Sequence, residues 1–118
     1  MRGGDPTIIM VMAKKPPFVL VYADEVKEHL RAIENKYHSL IQSEVEGQLL
    51  FEPEVETRNR QPLQRPIGFG ADWELRLGTD NRFRVFYQVK AENREVSVLA
   101  IGVKMRNRLF IGGEELEG

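Results

Sequence analysis

Three short apolar runs in the second half of the chain constrain its fold more than any other feature. They span Trp73–Gly78, Arg84–Val89 and Val96–Val103, and polar turns separate them. Short runs rich in β-branched and aromatic residues and bounded by Gly, Asn or Asp are typical of consecutive antiparallel strands. The sequence therefore predicts a three-stranded antiparallel meander.

Side-chain alternation predicts how the first two strands pair. One register places the large apolar side chains on a single face through the pairs Leu77–Phe83, Leu75–Val85 and Trp73–Tyr87. In that register Arg76 lies directly opposite Arg84 on the other face. A slip of one residue would expose all the large side chains, so the pattern selects this pairing.

The third strand is predicted to continue the same register. Pairing Val89 with Val96 places Val85 beside Ala100. The residues Val98–Ile101 are apolar on both sides, so we expect this strand at the centre of the sheet.

The first half of the chain predicts a strand followed by helix. Phe18–Tyr22 reads as a buried strand, and Asp24–Phe51 carries apolar residues at steps of three and four. This stretch fits one long helix or two. We favour a helical hairpin with a break near Glu34–Asn35, because one long apolar stripe would overhang so small a sheet.

The length of 118 residues suits one small domain. We divide the chain into a flexible N-terminal arm at residues 1–17, a domain at residues 18–111 and an acidic C-terminal tail at residues 112–118. Within the domain, the connection Glu54–Ala71 is long and rich in Gly and Pro. Connections of this length are usually functional or disordered.

Charge is unevenly distributed along the chain. The segment Arg58–Arg108 has eleven basic and five acidic residues, and the remainder has six basic and thirteen acidic residues. This asymmetry suggests a surface that faces a polyanion, although a solvated exterior of mixed charge explains the same counts.

Composition excludes several kinds of site. The chain has no cysteine, and its two histidines, His29 and His38, do not have the spacing of metal ligands. We therefore expect neither a metal nor a cofactor. No apolar run reaches transmembrane length, so we expect a cytoplasmic protein without a membrane partner.

In its order of elements and in several short segments the sequence resembles the RelE/ParE superfamily of type II toxin–antitoxin toxins. The segments are Phe51–Pro53, Arg60–Leu63, Trp73–Arg76, Arg84–Val89 and Val98–Lys104. The resemblance implies an α+β, RelE-like fold: an N-terminal strand, a helical hairpin and a three-stranded antiparallel meander, with the helices packed on one face of the sheet.

The resemblance also implies a function and partners. RelE-like toxins enter the ribosome and cut mRNA, whereas ParE-like toxins share the fold, act on DNA gyrase and lack the catalytic residues. The expected partners are a cognate antitoxin and, for a RelE-like toxin, the ribosome and mRNA; a homodimer is left open. In the cleavage reaction the RNA 2′-hydroxyl attacks the adjacent phosphate, which requires proton transfer and cations on that phosphate.

Three basic residues match the catalytic positions that the resemblance implies. Arg84 corresponds to the arginine that contacts the scissile phosphate, Arg76 to a basic residue on the preceding strand, and Lys104 to one shortly after the last strand. The further RNA-binding candidates are Arg58, Arg60, Arg106 and Arg108.

The sequence departs from the RelE pattern at two positions. Glu74 stands in place of a strand lysine, and Phe110 in place of a C-terminal tyrosine. Tyr87 is not a substitute, since alternation points it inward. Glu74 could act as a base beside Arg76, but we favour an ion pair with either arginine.

Three functional hypotheses follow. The first is a ribosome-dependent mRNA endonuclease. The alternatives are a ParE-like inhibitor of DNA gyrase that is not a nuclease, and an inactive family member that still binds an antitoxin or RNA.

Overall fold

The central feature of the computed structural model, which describes residues 16–65 and 67–116, is a seven-stranded sheet. The helices α1 (Val26–Arg31) and α2 (His38–Leu49) pack on one face of it. The strands are β1 (Val19–Tyr22), β2 (Arg60–Pro62), β3 (Trp73–Leu77), β4 (Phe83–Lys90), β5 (Glu95–Met105), β6 (Arg108–Ile111) and β7 (Glu114–Glu115).

The predicted meander forms the middle of this sheet. Strands β3, β4 and β5 pair antiparallel in chain order, with β2 added beside β3. The two halves of β5 have different outer neighbours, because β1 pairs in parallel with Glu95–Val98 and β6 pairs antiparallel with Gly102–Met105. The predicted α+β architecture is confirmed, and the sheet extends beyond the meander on both sides. The expectation that the first strand is buried is wrong, because β1 lies at an edge of the sheet and Val19, Val21 and Tyr22 are exposed.

The register predicted for β3 and β4 is confirmed at every pair, including Arg76 opposite Arg84. Val89 also pairs with Val96 as predicted. With the exception of Phe86, the apolar side chains of β3 and β4 therefore face the helices, and the two arginines lie on the opposite face, which we call the outer face.

Farther along β5 the predicted pairing is wrong. The strand has a β-bulge at Leu99, which has no partner in β4. As a result Val85 pairs with Ile101, and Ala100, its predicted neighbour, lies opposite Phe86. The bulge returns the apolar side chain of Ile101 to the core on the helical side.

The helical hairpin predicted within Asp24–Phe51 is present. Helix α1 ends at Arg31, and a short 3-10 turn at Asn35–Tyr37 leads into α2, so the break lies near its predicted position. The core between helices and sheet includes Val26, Ile41, Val45, Leu49, Leu75, Val85, Tyr87, Val98 and Ile101. No helix in the ranges described is long and apolar enough to cross a membrane.

The outer face has an apolar cluster of its own. Phe86 and Ala100 are buried there, and Leu63, Ile67 and Phe69 from the long connection pack against them. The ring centroids of Phe69 and Phe86 are 6.2 Å apart. The second half of the connection therefore covers part of the outer face.

The two ends of the chain can be compared with the predicted N-terminal arm and C-terminal tail to different extents. Except for Pro16 and Pro17, the predicted N-terminal arm lies outside the described residues. The predicted C-terminal tail begins in the sheet, where Glu114 pairs with Ile111 and Glu115 with Phe110. The turn at Gly112–Gly113 approaches α1, since a Cβ at Gly112 would lie 3.4 Å from the imidazole of His29.

A side chain of α1, His29, accepts one backbone hydrogen bond from β5. Between the part of β5 that pairs with β1 and the part that pairs with β6, the Ile101 N–H donates to His29 Nδ1 at 3.2 Å. Burial lowers the pKa of His29, and the carboxylates of Glu25 and Glu28 offset part of this effect. Accepting this bond requires Nδ1 to be unprotonated.

We predict that this contact makes stability depend on pH. The folded pKa of His29 lies below the unfolded value of about 6.5, so the unfolded chain binds more protons between the two values. The contribution is present above about pH 6.5 and is lost as pH falls toward the folded pKa. Urea unfolding should show a steeper fall in the free energy of unfolding for the parent than for His29→Gln between about pH 7.5 and 5.5. Equal slopes would contradict this role.

Candidate functional site

The candidate site is built on the outer face at the cross-strand pair of Arg76 and Arg84. The Arg76 side chain is 33% exposed and the Arg84 side chain 12% exposed, so both are partly shielded from bulk water. Their opposition follows from the register that buries Leu75 and Val85 on the other face. Packing of the core thus brings two positive charges together.

One carboxylate bridges the two arginines. Arg76 Nε donates to Glu74 Oε1 at 3.2 Å, and a terminal nitrogen of Arg84 donates to Glu74 Oε2 at 3.0 Å. The Glu74 side chain is 12% exposed, so these charge-assisted bonds are less screened than those of a surface pair. The structure shows the ion pair favoured from the sequence, and it involves both arginines rather than one.

The turn between β3 and β4 holds Arg84 in place. Arg84 Nε donates to the carbonyl oxygen of Asn81 at 3.1 Å. The turn begins at Gly78, whose φ of 84° suits glycine, and a Cβ there would lie 2.8 Å from the Phe83 ring. The geometry of this tight turn therefore contributes to the orientation of one guanidinium.

Lys104 belongs to the same face of the sheet. Its backbone N–H donates to the Arg82 carbonyl oxygen at 2.7 Å, and it lies two residues beyond Gly102, the partner of Arg84. A Cβ at Gly102 would lie 2.9 Å from the Phe110 carbonyl oxygen, so this position favours glycine. Lys104 is half-exposed, and in the ranges described no carboxylate lies within ion-pair distance of it.

Arg60 is not part of this surface, contrary to the expectation from sequence. Only 6% of it is exposed, and its guanidinium donates to the carbonyl oxygens of Val55, at 3.0 Å from Nε, and of Gln48 near the end of α2. These bonds give a charged donor to two backbone acceptors, one of which lies in the last turn of α2, where carbonyl groups lack partners within the helix. Arg60 is a structural residue, and we withdraw it as an RNA-binding candidate.

The other three arginine candidates are exposed near the same end of the sheet. Arg58 precedes Asn59, whose carbonyl oxygen accepts the Arg76 N–H. Arg106 lies in the turn between β5 and β6, and Arg108 begins β6, with its Nε 3.8 Å from a Glu115 carboxylate oxygen. Their positions extend the positive charge around the arginine pair.

Sequence reasoning missed Arg82, which belongs to the same end of the sheet. A terminal nitrogen of Arg82 donates to the Tyr37 hydroxyl at 3.0 Å, and its guanidinium carbon lies 4.9 Å from the centre of that ring. The two residues are 45 positions apart, and no local pattern signals their contact.

Two side chains that could take part in proton transfer, Tyr87 and His38, lie away from the outer face. The Tyr87 hydroxyl is buried on the helical side and donates to the Pro53 carbonyl oxygen at 2.7 Å. Burial raises the pKa of Tyr87 well above its usual value, so this group does not titrate near neutral pH. His38 also lies on the helical side, where Nε2 is 2.8 Å from the carbonyl oxygens of Leu30 and Ile33.

The described residues contain no cluster of three His, Asp or Glu side chains that could hold a metal ion. Separately, the convergence of Arg76 and Arg84 on one carboxylate shows that this site can hold an anion. Two convergent guanidinium groups match an oxyanion with two accessible oxygens, a geometry that lysine cannot reproduce.

Comparison with solved structures identifies the fold. A chain of the toxin–antitoxin complex RelBE2 from Mycobacterium tuberculosis matches with a TM-score of 0.62 and 20% sequence identity, over 77% of this chain and 95% of that one. The protein has a RelE-like fold. No protein-family model matches the sequence, and no curated protein does. The resemblance stated from short motifs is thus confirmed at the level of three-dimensional structure.

In the RelE-like domain, the effect of alanine substitution on the free energy of unfolding should distinguish the buried Arg60 from the exposed Arg58. We predict that Arg60→Ala lowers the free energy of unfolding by about 2–4 kcal/mol, because two backbone carbonyl groups lose a charged donor. Arg58→Ala, two residues away and exposed, should change it by less than about 0.5 kcal/mol. Urea denaturation followed by circular dichroism measures both, and similar values for the two variants would contradict the assignment.

Proposed function

We propose that this protein is the toxin component of a type II toxin–antitoxin system and that it inhibits translation by ribosome-dependent cleavage of mRNA. The observation that carries the proposal is the cross-strand pair of Arg76 and Arg84 on the outer face of a RelE-like sheet. A fold alone does not define a reaction, so the proposal depends on the chemistry of this pair.

The arginine pair suits the phosphate of an RNA backbone. Both guanidinium groups already hold the two oxygens of one carboxylate, and a phosphodiester presents two oxygens of similar character. The 2′-hydroxyl loses its proton and its oxygen bonds to phosphorus, while the bond from phosphorus to the 5′-oxygen of the next nucleotide breaks. The 5′-oxygen takes up a proton, so the products are a cyclic phosphate and a 5′-hydroxyl. In the transition state the negative charge on the two non-bridging oxygens increases. Cations fixed beside them stabilise that charge more than the charge of the starting phosphate.

Lys104 and the exposed arginines extend this surface along the substrate. Lys104 lies on the same face as Arg84, and Arg58, Arg106 and Arg108 lie near the same end of the sheet. Contacts of this kind fix the position of a nucleic-acid backbone without reading its sequence. In this proposal the protein positions and polarises the phosphate, and these effects account for the rate enhancement.

The proposal includes an antitoxin partner. A chain of a toxin–antitoxin complex is similar to this one in structure. In this chain, Val19, Val21 and Tyr22 are exposed apolar residues of β1, which within the described residues pairs only with β5. An exposed strand edge with apolar side chains is suited to pairing with a segment of another chain.

A second candidate is a ParE-like inhibitor that acts on DNA gyrase and cleaves no RNA. Two features favour it, namely the carboxylate of Glu74 between the arginines and the absence of a hydroxyl at Phe110. The two candidates differ in the process that stops first after the protein is produced in cells.

Cell-free translation provides the test. We predict that added protein cuts mRNA on the ribosome and that Arg84→Ala lowers the cleavage rate by about 100-fold or more, because it removes a transition-state cation. The matched control is Arg31→Ala, which removes an exposed arginine on α1 that pairs with Glu28. Primer extension on the mRNA maps the cuts, and thermal unfolding confirms that both variants are folded.

Two outcomes would contradict the proposal. Cleavage by Arg84→Ala at the parent rate would exclude the phosphate-binding role. Absence of cleavage by the parent, together with DNA-damage signalling on induced expression, would support the gyrase-directed alternative instead.

A further inference from the structure

We infer that Glu74 is an internal competitor for the phosphate, so that RNA binds by exchanging with the Glu74 carboxylate on Arg76 and Arg84. This inference rests on the proposed function, because it assumes that the arginine pair receives an RNA phosphate. It assigns to Glu74 an inhibitory role in binding rather than the role of a general base.

The geometry shows that the anion position between the arginines is already filled. Each oxygen of the Glu74 carboxylate accepts a hydrogen bond from a different guanidinium, at 3.2 Å from Arg76 and 3.0 Å from Arg84. A phosphate that bridges the same two groups needs the same donors. Binding in this mode therefore requires the carboxylate to move away.

Burial of Glu74 and Arg84 strengthens the interaction that a phosphate has to replace. The Glu74 and Arg84 side chains are each 12% exposed, so the charges are partly desolvated and interact more strongly than surface charges. With Glu74 in place, the three side chains carry a net charge of about +1 rather than +2. The attraction for a phosphate is correspondingly weaker until the carboxylate is displaced.

The surroundings of Glu74 explain why it points toward the arginines. Its cross-strand partners on the outer face are Phe86 in β4, which is buried beneath the ring of Phe69, and Gln61 in β2. Phe86 offers no side-chain donor, and among the described residues the hydrogen bonds to the Glu74 carboxylate come from the two arginines rather than from Gln61. Arg84 is also fixed by its bond to the Asn81 carbonyl oxygen, so the carboxylate meets an ordered cation.

The test measures binding without cleavage. A fluorescent single-stranded 2′-O-methyl RNA cannot undergo attack by its own 2′-oxygen, and fluorescence anisotropy gives its Kd. We expect Glu74→Gln to bind about tenfold more tightly than the parent at low salt, because the competing charge is removed.

Two controls separate exchange from a general effect of charge. Glu92→Gln removes a carboxylate in the exposed turn at Ala91–Asn93 and should change Kd by less than about twofold. In an Arg84→Ala background, the gain from Glu74→Gln should shrink, since the effect acts through that arginine. Glu74→Asp retains the charge but shortens the side chain, and we expect an intermediate gain.

The outcomes distinguish this inference from the proposed function. If Arg84→Ala weakens binding while Glu74→Gln and Glu74→Asp bind no better than the parent, competition by Glu74 is excluded and the phosphate site stands. An equal gain from Glu92→Gln would also overturn the inference. If Arg84→Ala does not weaken binding, the phosphate site itself is wrong and the inference fails with it.

Discussion

The antiparallel pairing of β3 with β4 is the constraint on which the rest of the structure depends. Its register places Leu75 and Val85 against the helices, and the same register places Arg76 opposite Arg84 on the outer face. Burial of large apolar side chains outweighs the modest repulsion between two partly solvated charges. The positively charged site is therefore a consequence of how the core packs.

Arginines serve distinct purposes in this domain, and local environment separates them. Arg60 is buried and, within residues 16–65 and 67–116, its side chain bonds only to backbone carbonyl groups, whereas Arg76 and Arg84 share a carboxylate on the outer face. Arg94 lies over the ring of Phe18, with 4.3 Å from its guanidinium carbon to the ring centre. The number of basic residues in this half of the chain is therefore larger than the number whose charge is accessible to a substrate on the outer face.

The sequence predicted strand register correctly where apolar and polar residues alternate clearly. It predicted the register wrongly where both faces of a strand are apolar. The register of β3 with β4 follows from residues such as Leu77 and Phe83, which have polar neighbours. The bulge at Leu99 gives no signal, because the residues on either side are also apolar and a shift of one position leaves the pattern unchanged. The burial of Arg60 depends on contacts with Val55 and with the end of α2, and charge alone suggested exposure.

The central claim is that Arg76 and Arg84 form a single anion site, and a double-mutant cycle on RNA binding tests it most directly. The measurement is the Kd of single-stranded RNA for the parent, Arg76→Ala, Arg84→Ala and the double variant. The account predicts that the Kd of the double variant is close to that of the single variant that binds RNA less tightly. The corresponding coupling free energy is about 1–3 kcal/mol. Additive losses, with coupling below about 0.5 kcal/mol, would show that the two arginines act independently and would contradict the account.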